Sequence, residues 1–307
     1  MLKVIFEFLG GPSQRSVWIQ LGVLTFFFLV GWNLWKSIHL QIENSLDYQI
    51  GLKDIQIVSP PQWLAPTFVK EAFESRPRFL NKPLNILAPD ILERLALAFE
   101  SHPFVNRVES IRIQYPPRVL VKLQFRNPVA FVVIPTLNSG LNSRIYMIDE
   151  DGYYLSVYEG DSLTIPKHFQ NCSIIRGIKS VPISPIGEYW GDPLIYESAA
   201  LASFLMKEQE ALQIKNINVQ LNELERIGGI YNLMTTAGTQ IHWGTFPLNE
   251  RLDYYKLEQT DSKAQAIREE VAEKQRLKLE YLKKLAEKYG SLDSVPLDQL
   301  PIDLSNL

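Results

Sequence analysis

Hydrophobic and polar residues alternate with different periods in different parts of the chain, and the first part does not alternate at all. Residues 17–35, VWIQLGVLTFFFLVGWNLW, form a run of 19 residues without a charge. As a helix this run would be roughly 28 Å long, close to the ~30 Å hydrocarbon core of a bilayer. Aromatic residues mark its two ends and its centre, namely Trp18, Phe26, Phe27, Phe28, Trp32 and Trp35. The pattern predicts a membrane anchor over residues 16–38.

A cleaved signal peptide and a buried helix are the alternatives for this run. A signal peptide has a shorter apolar core followed by small residues, whereas KSIHLQIEN follows here. Lys3 and Arg15 precede the run, while Lys36 beyond it is offset by Glu43 and Asp47. Positive charge favours the cytoplasmic side, so we expect tail 1–15 in the cytoplasm and the bulk of the chain outside it.

Helical and strand-like periods then follow each other between residues 49 and 126. Residues 53–58 alternate as a short strand, 66–75 form a helix, and a second helix begins after Asp90 with Leu92, Leu95 and Phe99 on its buried face. Residues 111–115 and 119–125 alternate again as two strands. The order strand, helix, helix, strand, strand predicts a small α+β module in which two helices cover a three-stranded sheet.

Residues 127–307 are rich in short β segments and turn signals, which predicts a second, mainly antiparallel domain. One helix is expected at Leu194–Gln213 and another at residues 262–289, where Gly290 ends a strong helix former. Lys274 and Lys278 interrupt the apolar stripe of this last helix, so a solvated helix packed on the sheet is favoured over a coiled coil. The closing IDLSNL predicts an edge strand over residues 301–305.

Composition narrows the possible functions. The net charge of the 307 residues is −3 and no basic stripe is present, which argues against nucleic-acid binding. The single cysteine, Cys172, excludes an internal disulfide and a cysteine zinc site. We therefore expect no metal and no cofactor.

Catalytic motifs are not found either. The histidines, His39, His102, His168 and His242, are far apart, and neither nucleotide-binding nor hydrolase motifs occur. DEDG at 149–152 fits a hairpin turn better than a calcium loop, because the further ligands of such a loop are missing. We expect a protein that is not an enzyme and that offers strand edges to partners. An anchored enzyme using His168, His242 or Asp149 remains an alternative.

Several stretches together resemble a known family. They are HPFVNRVESIRIQYPPRVLVKLQFRNPVAFV at 102–132, YMIDEDGYYL at 146–155, IHWG at 241–244, and the last helix followed by IDLS at 302–305. In this order they resemble the FtsQ/DivIB family of bacterial cell-division proteins. Phe125 stands where the family usually has Glu, and Ser305 stands where it tends to have Arg.

The resemblance implies a single membrane helix, a POTRA-like module at 49–126 and an FtsQ-like β-domain at 127–307. It implies a scaffold in the inner membrane at the division septum, with its bulk in the periplasm, that binds small coiled-coil proteins like FtsB and FtsL. The implied binding residues are Ile302, Asp303, Leu304 and Ser305 on the last strand, and Val105, Arg107, Arg112 and Gln114 on the POTRA strand face.

Strand augmentation is the expected binding mode, so Leu304→Pro should abolish partner binding by deleting a backbone donor. The alternative is a POTRA-bearing assembly or translocation factor that binds extended client polypeptides.

Overall fold

The structure, a computed structural model, describes residues 12–43, 45–74, 84–135, 143–160, 169, 171–221, 228–246 and 262–307. Side chains of the first helix are described from residue 21, and those of the last long helix from residue 269. The architecture is α+β: one long apolar helix near the N-terminus, a small three-stranded sheet with two helices, and a large mixed sheet. The α+β class expected from the sequence is confirmed.

The first helix, α1 (Pro12–Glu43), stands apart from the rest of the fold. Its segment Leu21–His39 is long and apolar enough to cross a membrane, and none of it is buried. The aromatic side chains of this segment are each at least 60% exposed, namely Phe26, Phe27, Phe28, Trp32 and Trp35. Trp18 belongs to α1, but its side chain lies outside the described part. An apolar helix that packs on no described part of its own chain fits the predicted anchor.

The module that follows contains two small sheets and two helices. β1 (Gln49–Ile50) pairs antiparallel with β3 (Leu84–Asn85). β2 (Ile55–Ile57), β4 (Val105–Gln114) and β5 (Arg118–Phe125) form a sheet in the order β2-β5-β4, with α2 (Phe68–Glu74) and α3 (Ile91–Glu100) between them in the chain. β2 is parallel and β4 antiparallel to β5. The predicted strand 53–58 is shorter than expected because residues 52–54 form a 3₁₀ turn.

Alternation along β5 explains how this module buries its core. Val119, Val121 and Leu123 are buried, while the residues between them are partly or fully exposed. One face therefore packs on the helices and the other is open. The prediction for α3 was right for Leu95 and Phe99 and wrong for Leu92, which is 49% exposed. Ile91, spaced four and eight residues from Leu95 and Phe99, completes the buried stripe instead.

Eight strands form the large sheet. They are β6 (Pro128–Pro135), β7 (Ser143–Asp149), β8 (Tyr154–Gly160), β9 (Ser173–Arg176), β10 (Ile214–Leu221), β11 (Gly229–Thr235), β12 (Gln240–Thr245) and β13 (Ile302–Asp303). Their spatial order is β13-β12-β11-β10-β9-β6-β7-β8. The pairs β6–β9, β9–β10 and β12–β13 are parallel and the other four are antiparallel. The sheet is mixed rather than purely antiparallel.

Helices cover one face of this sheet. They are α4 (Pro193–Met206), α5 (Gln209–Leu212) and α6 (Ser262–Tyr289). The predicted continuous helix Leu194–Gln213 is wrong, because a turn at 207–208 separates α4 from α5 and Gln213 ends α5 in a left-handed conformation, φ 52°. The bounds of α6 agree with the prediction. The core under these helices includes Trp243, Leu282, Ile302 and Leu304.

Candidate functional site

The last strand, β13, lies at one edge of the large sheet. Ile302 is opposite Ile241 and Asp303 is opposite His242, in parallel register. The Leu304 N–H donates to the His242 carbonyl at 2.8 Å. In a parallel pair, successive residues of a strand direct their backbone groups to opposite sides. The N–H and C=O of Asp303 therefore point away from β12, toward the side where the structure describes no further strand.

The four residues predicted on this strand play two different parts. Ile302 and Leu304 are 4% and 0% exposed and belong to the core between the sheet and its helices. Asp303 and Ser305 are exposed, and the Asp303 carboxylate accepts the Ser305 N–H at 2.9 Å and its hydroxyl at 2.6 Å. These hydrogen bonds lower the pKa of Asp303, and the bond from the Ser305 hydroxyl has the larger effect. Only the Asp303 backbone and the exposed turn are available to a partner.

This result corrects the Leu304→Pro test. The Leu304 N–H is already bonded inside the fold, and its side chain is fully buried. Proline there would break an internal hydrogen bond and empty a core position, so a loss of binding would report unfolding as well as lost docking.

A bulge in β12 places β13 against its neighbour. Tyr231 of β11 is opposite Gly244, and Asn232 is opposite His242, so Trp243 is the inserted residue. Gly244 has φ +82°, and a Cβ at this position would lie 3.1 Å from the Ser305 Cα. The backbone conformation therefore favours glycine at this position, and a larger residue would also crowd the chain after β13.

Two buried polar side chains of α6 hold this bulge. Lys278, 4% exposed, donates from Nζ to the Trp243 carbonyl at 2.7 Å. Gln275, 6% exposed, accepts the Trp243 indole N–H at 2.9 Å. Burial lowers the pKa of Lys278, the nearby Lys274 lowers it further, and Asp303 partly opposes the change. The helix thus fixes the strand that carries the edge.

Sequence reasoning missed these two residues. Lys274 and Lys278 interrupt the apolar stripe, which favours a solvated helix packed on the sheet, but Lys278 is buried. Its position four residues before the buried Leu282 was the available signal. Its carbonyl partner exists only because of the bulge, which hydrophobic periodicity does not reveal.

The second predicted set lies on β4, an edge strand of the small sheet. β4 is bulged twice along its pairing with β5, between Val105 and Arg107 and between Val108 and Ser110. Val105 is 4% exposed and packs in the core, so its side chain cannot contact a partner. Arg107, Arg112 and Gln114 are exposed.

The open face of this sheet is basic. Arg112 is opposite Leu120, and Gln114 is opposite Arg118, which places Arg112 and Arg118 on one face. Lys122 lies on the same face and pairs with Glu109 at 2.7 Å. No ion pair joins Arg107, Arg112 or Arg118 to a described carboxylate.

A buried ion pair links the two folded parts. Arg126, just after β5, contacts the Asp149 carboxylate at 3.0 Å, and its guanidinium lies 3.7 Å from the centre of the Tyr153 ring. The other Asp149 oxygen accepts the N–H groups of Asp151 and Tyr153 in the β7–β8 turn. Burial raises the pKa of Asp149, and the Tyr153 and Arg126 hydrogen bonds oppose this. The DEDG stretch is a hairpin turn, as predicted.

Of the residues named in the enzyme hypothesis, His242 and Asp149 lie far apart in the described part of the chain. His168 lies outside the described residues. His242 lies on β12 and contacts the Asn232 side chain at 2.5 Å, whereas Asp149 is the last residue of β7. Four strands separate β12 from β7 in the sheet, which corresponds to about 24 Å at ~4.8 Å per strand. Asp149 is also occupied by Arg126 and the hairpin turn.

Comparison with known proteins adds no identification. No family model matches the chain, and no curated protein sequence matches it.

Proposed function

We propose that the chain is a bitopic scaffold of the FtsQ/DivIB type that links membrane proteins of the bacterial division septum. In this proposal α1 spans the inner membrane with the N-terminus in the cytoplasm, and the rest lies in the periplasm. Residues 49–126 act as a POTRA-like module and residues 127–307 as the β-domain. The protein binds other proteins and catalyses no reaction.

The observation that carries this proposal is the β13 edge. The outward N–H and C=O of Asp303 offer one pair of backbone groups for an added strand, and the structure describes no strand beside them. Main-chain pairing supplies affinity in β-augmentation, and side chains supply specificity. A short coiled-coil protein with an extended segment, like FtsB or FtsL, is the partner that this edge would accept.

The β4 face would form a second contact through side chains. Arg107, Arg112 and Gln114 are exposed there, on a face where Arg112 and Arg118 form no ion pair with a described carboxylate, and Val105 would serve only to hold the strand. Charge complementarity favours an acidic surface on any protein bound there.

Asp303→Pro is the sharpest test of the β13 edge. Proline removes the outward N–H of residue 303 and leaves the Leu304–His242 bond in place. Asp303→Ala is its matched control, because it removes the same side chain and keeps the backbone donor. The experiment is a pull-down of the full chain from solubilised membranes, with bound proteins identified by mass spectrometry.

Recovery of small single-span coiled-coil proteins by the wild type and by Asp303→Ala, but not by Asp303→Pro, supports the proposal. Equal recovery by all three excludes the β13 edge as the docking strand.

The alternative, an assembly or translocation factor for extended clients, is favoured by one observation. β4 is ten residues long and only one of its edges is paired in the described sheet, so it could accept a long extended polypeptide. A broad mixture of unfolded chains, captured equally by Asp303→Pro and wild type, would favour this function.

A further inference from the structure

The turn between β4 and β5 lies beside the chain that leaves α1. The ring of Tyr48 is 6.2 Å from the ring of Tyr115, centre to centre. Tyr48 follows the end of α1 by only five residues, and Tyr115 lies in the β4–β5 turn. One end of the small sheet is therefore placed next to the exit of the apolar helix.

The connection is too short to carry this end far from a membrane. The apolar segment of α1 ends at His39 and the helix at Glu43. Four helical residues add about 6 Å and five extended residues at most roughly 18 Å. Residues 46–48 form a 3₁₀ turn, which shortens the connection further. Tyr48 therefore lies at most about 24 Å from the end of the apolar segment, which is close enough for this end of the module to reach the headgroup layer.

Large apolar groups are exposed at this end of the module. Leu46 is 80% exposed and Tyr115 is 72% exposed, and the described fold covers neither. Tyrosine is enriched at membrane–water interfaces because its ring is apolar and its hydroxyl is hydrated. These two side chains have the chemistry of residues that enter the interfacial layer.

Cations flank the exposed apolar pair. Arg112 and Arg118 project from the open face of the sheet near the turn, and Lys53 precedes β2 at the same end. Two carboxylates also lie here, Asp47 and Asp54, and each accepts a hydrogen bond from its own turn. The two arginines have no described ionic partner, so they remain available to phosphate groups.

We propose that this end of the module, defined by Leu46, Tyr48, Arg112, Tyr115 and Arg118, docks on the surface of the membrane that α1 spans. Leu46 and Tyr115 enter the interfacial layer, and Arg112 and Arg118 bind the phosphates of anionic phospholipids. The proposal rests on the membrane anchorage in the proposed function. It divides the β4 face: Arg112 contacts lipid, while Arg107, at the far end of the strand, remains for protein partners.

Nitroxide labels on the full chain in lipid nanodiscs test this proposal. Tyr115→Cys reports on the docking end, Gly31→Cys on the anchor, and Ile183→Cys on a site that is 95% exposed. A side chain at Gly31 meets no atom within 4 Å. Cys172 can stay, because burial raises the pKa of its thiol to about 12 and leaves it unreactive toward the label. Treatment of the wild-type chain with the label measures any background labelling of Cys172.

Collision of the labels with oxygen, which enters the bilayer, is compared with collision with a water-soluble nickel chelate. The expected result is membrane exposure at position 31 and full water exposure at 183. At position 115 we expect a several-fold loss of nickel collisions relative to 183. The loss should be larger in nanodiscs of phosphatidylcholine with phosphatidylglycerol than in phosphatidylcholine alone. The double variant Arg112→Gln, Arg118→Gln should remove that lipid dependence.

Two negative results have different meanings. If position 31 is in lipid but position 115 collides with nickel as freely as position 183, the docking proposal is wrong and this end is free for proteins. If position 31 is itself exposed to nickel, the anchorage fails and with it the proposed function. A lipid dependence at position 115 that survives in the double variant would refute the role of the arginines.

Discussion

The two strand edges proposed for binding, β13 and β4, present different parts of the chain to a partner. β13 is two residues long, and the side chains on either side of Asp303 are buried, so it offers mainly backbone. β4 is ten residues long and bulged, and it offers exposed arginine and glutamine side chains. Recognition at β13 must therefore depend on strand pairing, and recognition at β4 on charge and side-chain shape. Truncation of the buried side chains beside Asp303 should therefore lower stability, whereas truncation of the exposed arginines of β4 should affect only binding.

Truncation of Leu304 should have the largest effect on the fold. Leu304→Ala removes a fully buried side chain and should lower the free energy of unfolding by about 2–5 kcal/mol. Arg112→Ala, on the other edge, should change it by less than about 0.5 kcal/mol. Chemical denaturation of the full chain in detergent, followed by circular dichroism, measures both. Equal effects would remove the distinction between the edges.

Removal of the Lys278 amine should have a smaller effect. Lys278→Ala leaves the buried Trp243 carbonyl without its donor, which should cost about 1–3 kcal/mol of unfolding free energy. Lys274→Ala is the control, because Lys274 lies one turn earlier on α6 and is exposed. If the two variants are equally stable in the same denaturation experiment, α6 does not support the β13 edge through Lys278.

The same lysine predicts a pH dependence. Burial lowers the pKa of Lys278 below its ordinary 10.5, so between the two values the unfolded chain binds more protons than the folded one. Stability should therefore rise with pH in this window. Relative to Lys278→Met, the wild type should gain unfolding free energy as pH rises toward 10.5. Parallel curves for the two proteins would contradict the lowered pKa.

The surface ion pair of β4 should have the smallest effect. Lys122 and Glu109 are 2.7 Å apart, and the hydrogen bond from Lys122 lowers the pKa of Glu109. Exposed ion pairs are screened by water and salt and contribute little to stability. Glu109→Gln should leave the denaturation midpoint unchanged at high salt. A clear loss of stability there would mean that β4 is not simply an exposed edge.

Local patterns predicted much of the secondary structure. The helix over 262–289 was predictable because strong helix formers continue up to Gly290. β5 was predictable because Val119, Val121, Leu123 and Phe125 occupy alternate positions. The break between α4 and α5 was not, because no proline or glycine marks residues 207–208. Helix propensity there favours continuation, and the turn follows from packing instead.

The two binding edges were predictable only in part. The closing IDLS indicated an edge strand, and the structure gives it two residues instead of five. The burial of Ile302 and Leu304, and the outward direction of the Asp303 backbone, depend on register against β12, which is set by contacts between distant parts of the chain. The resemblance placed Arg126 and Asp149 in separate motifs, and only the structure shows their ion pair.

The pairing of β13 with β12 also joins two distant parts of the chain. Ile302 lies opposite Ile241, so the pair closes across 61 positions of the chain, and α6 lies between them. Contacts between distant residues form late, because loop closure must precede them. Without β13, the outermost described strand on this side of the sheet would be the six-residue β12. This longer edge would be more prone to pair with other chains. The two residues of β13 therefore cover part of a longer edge strand whose full exposure would favour aggregation.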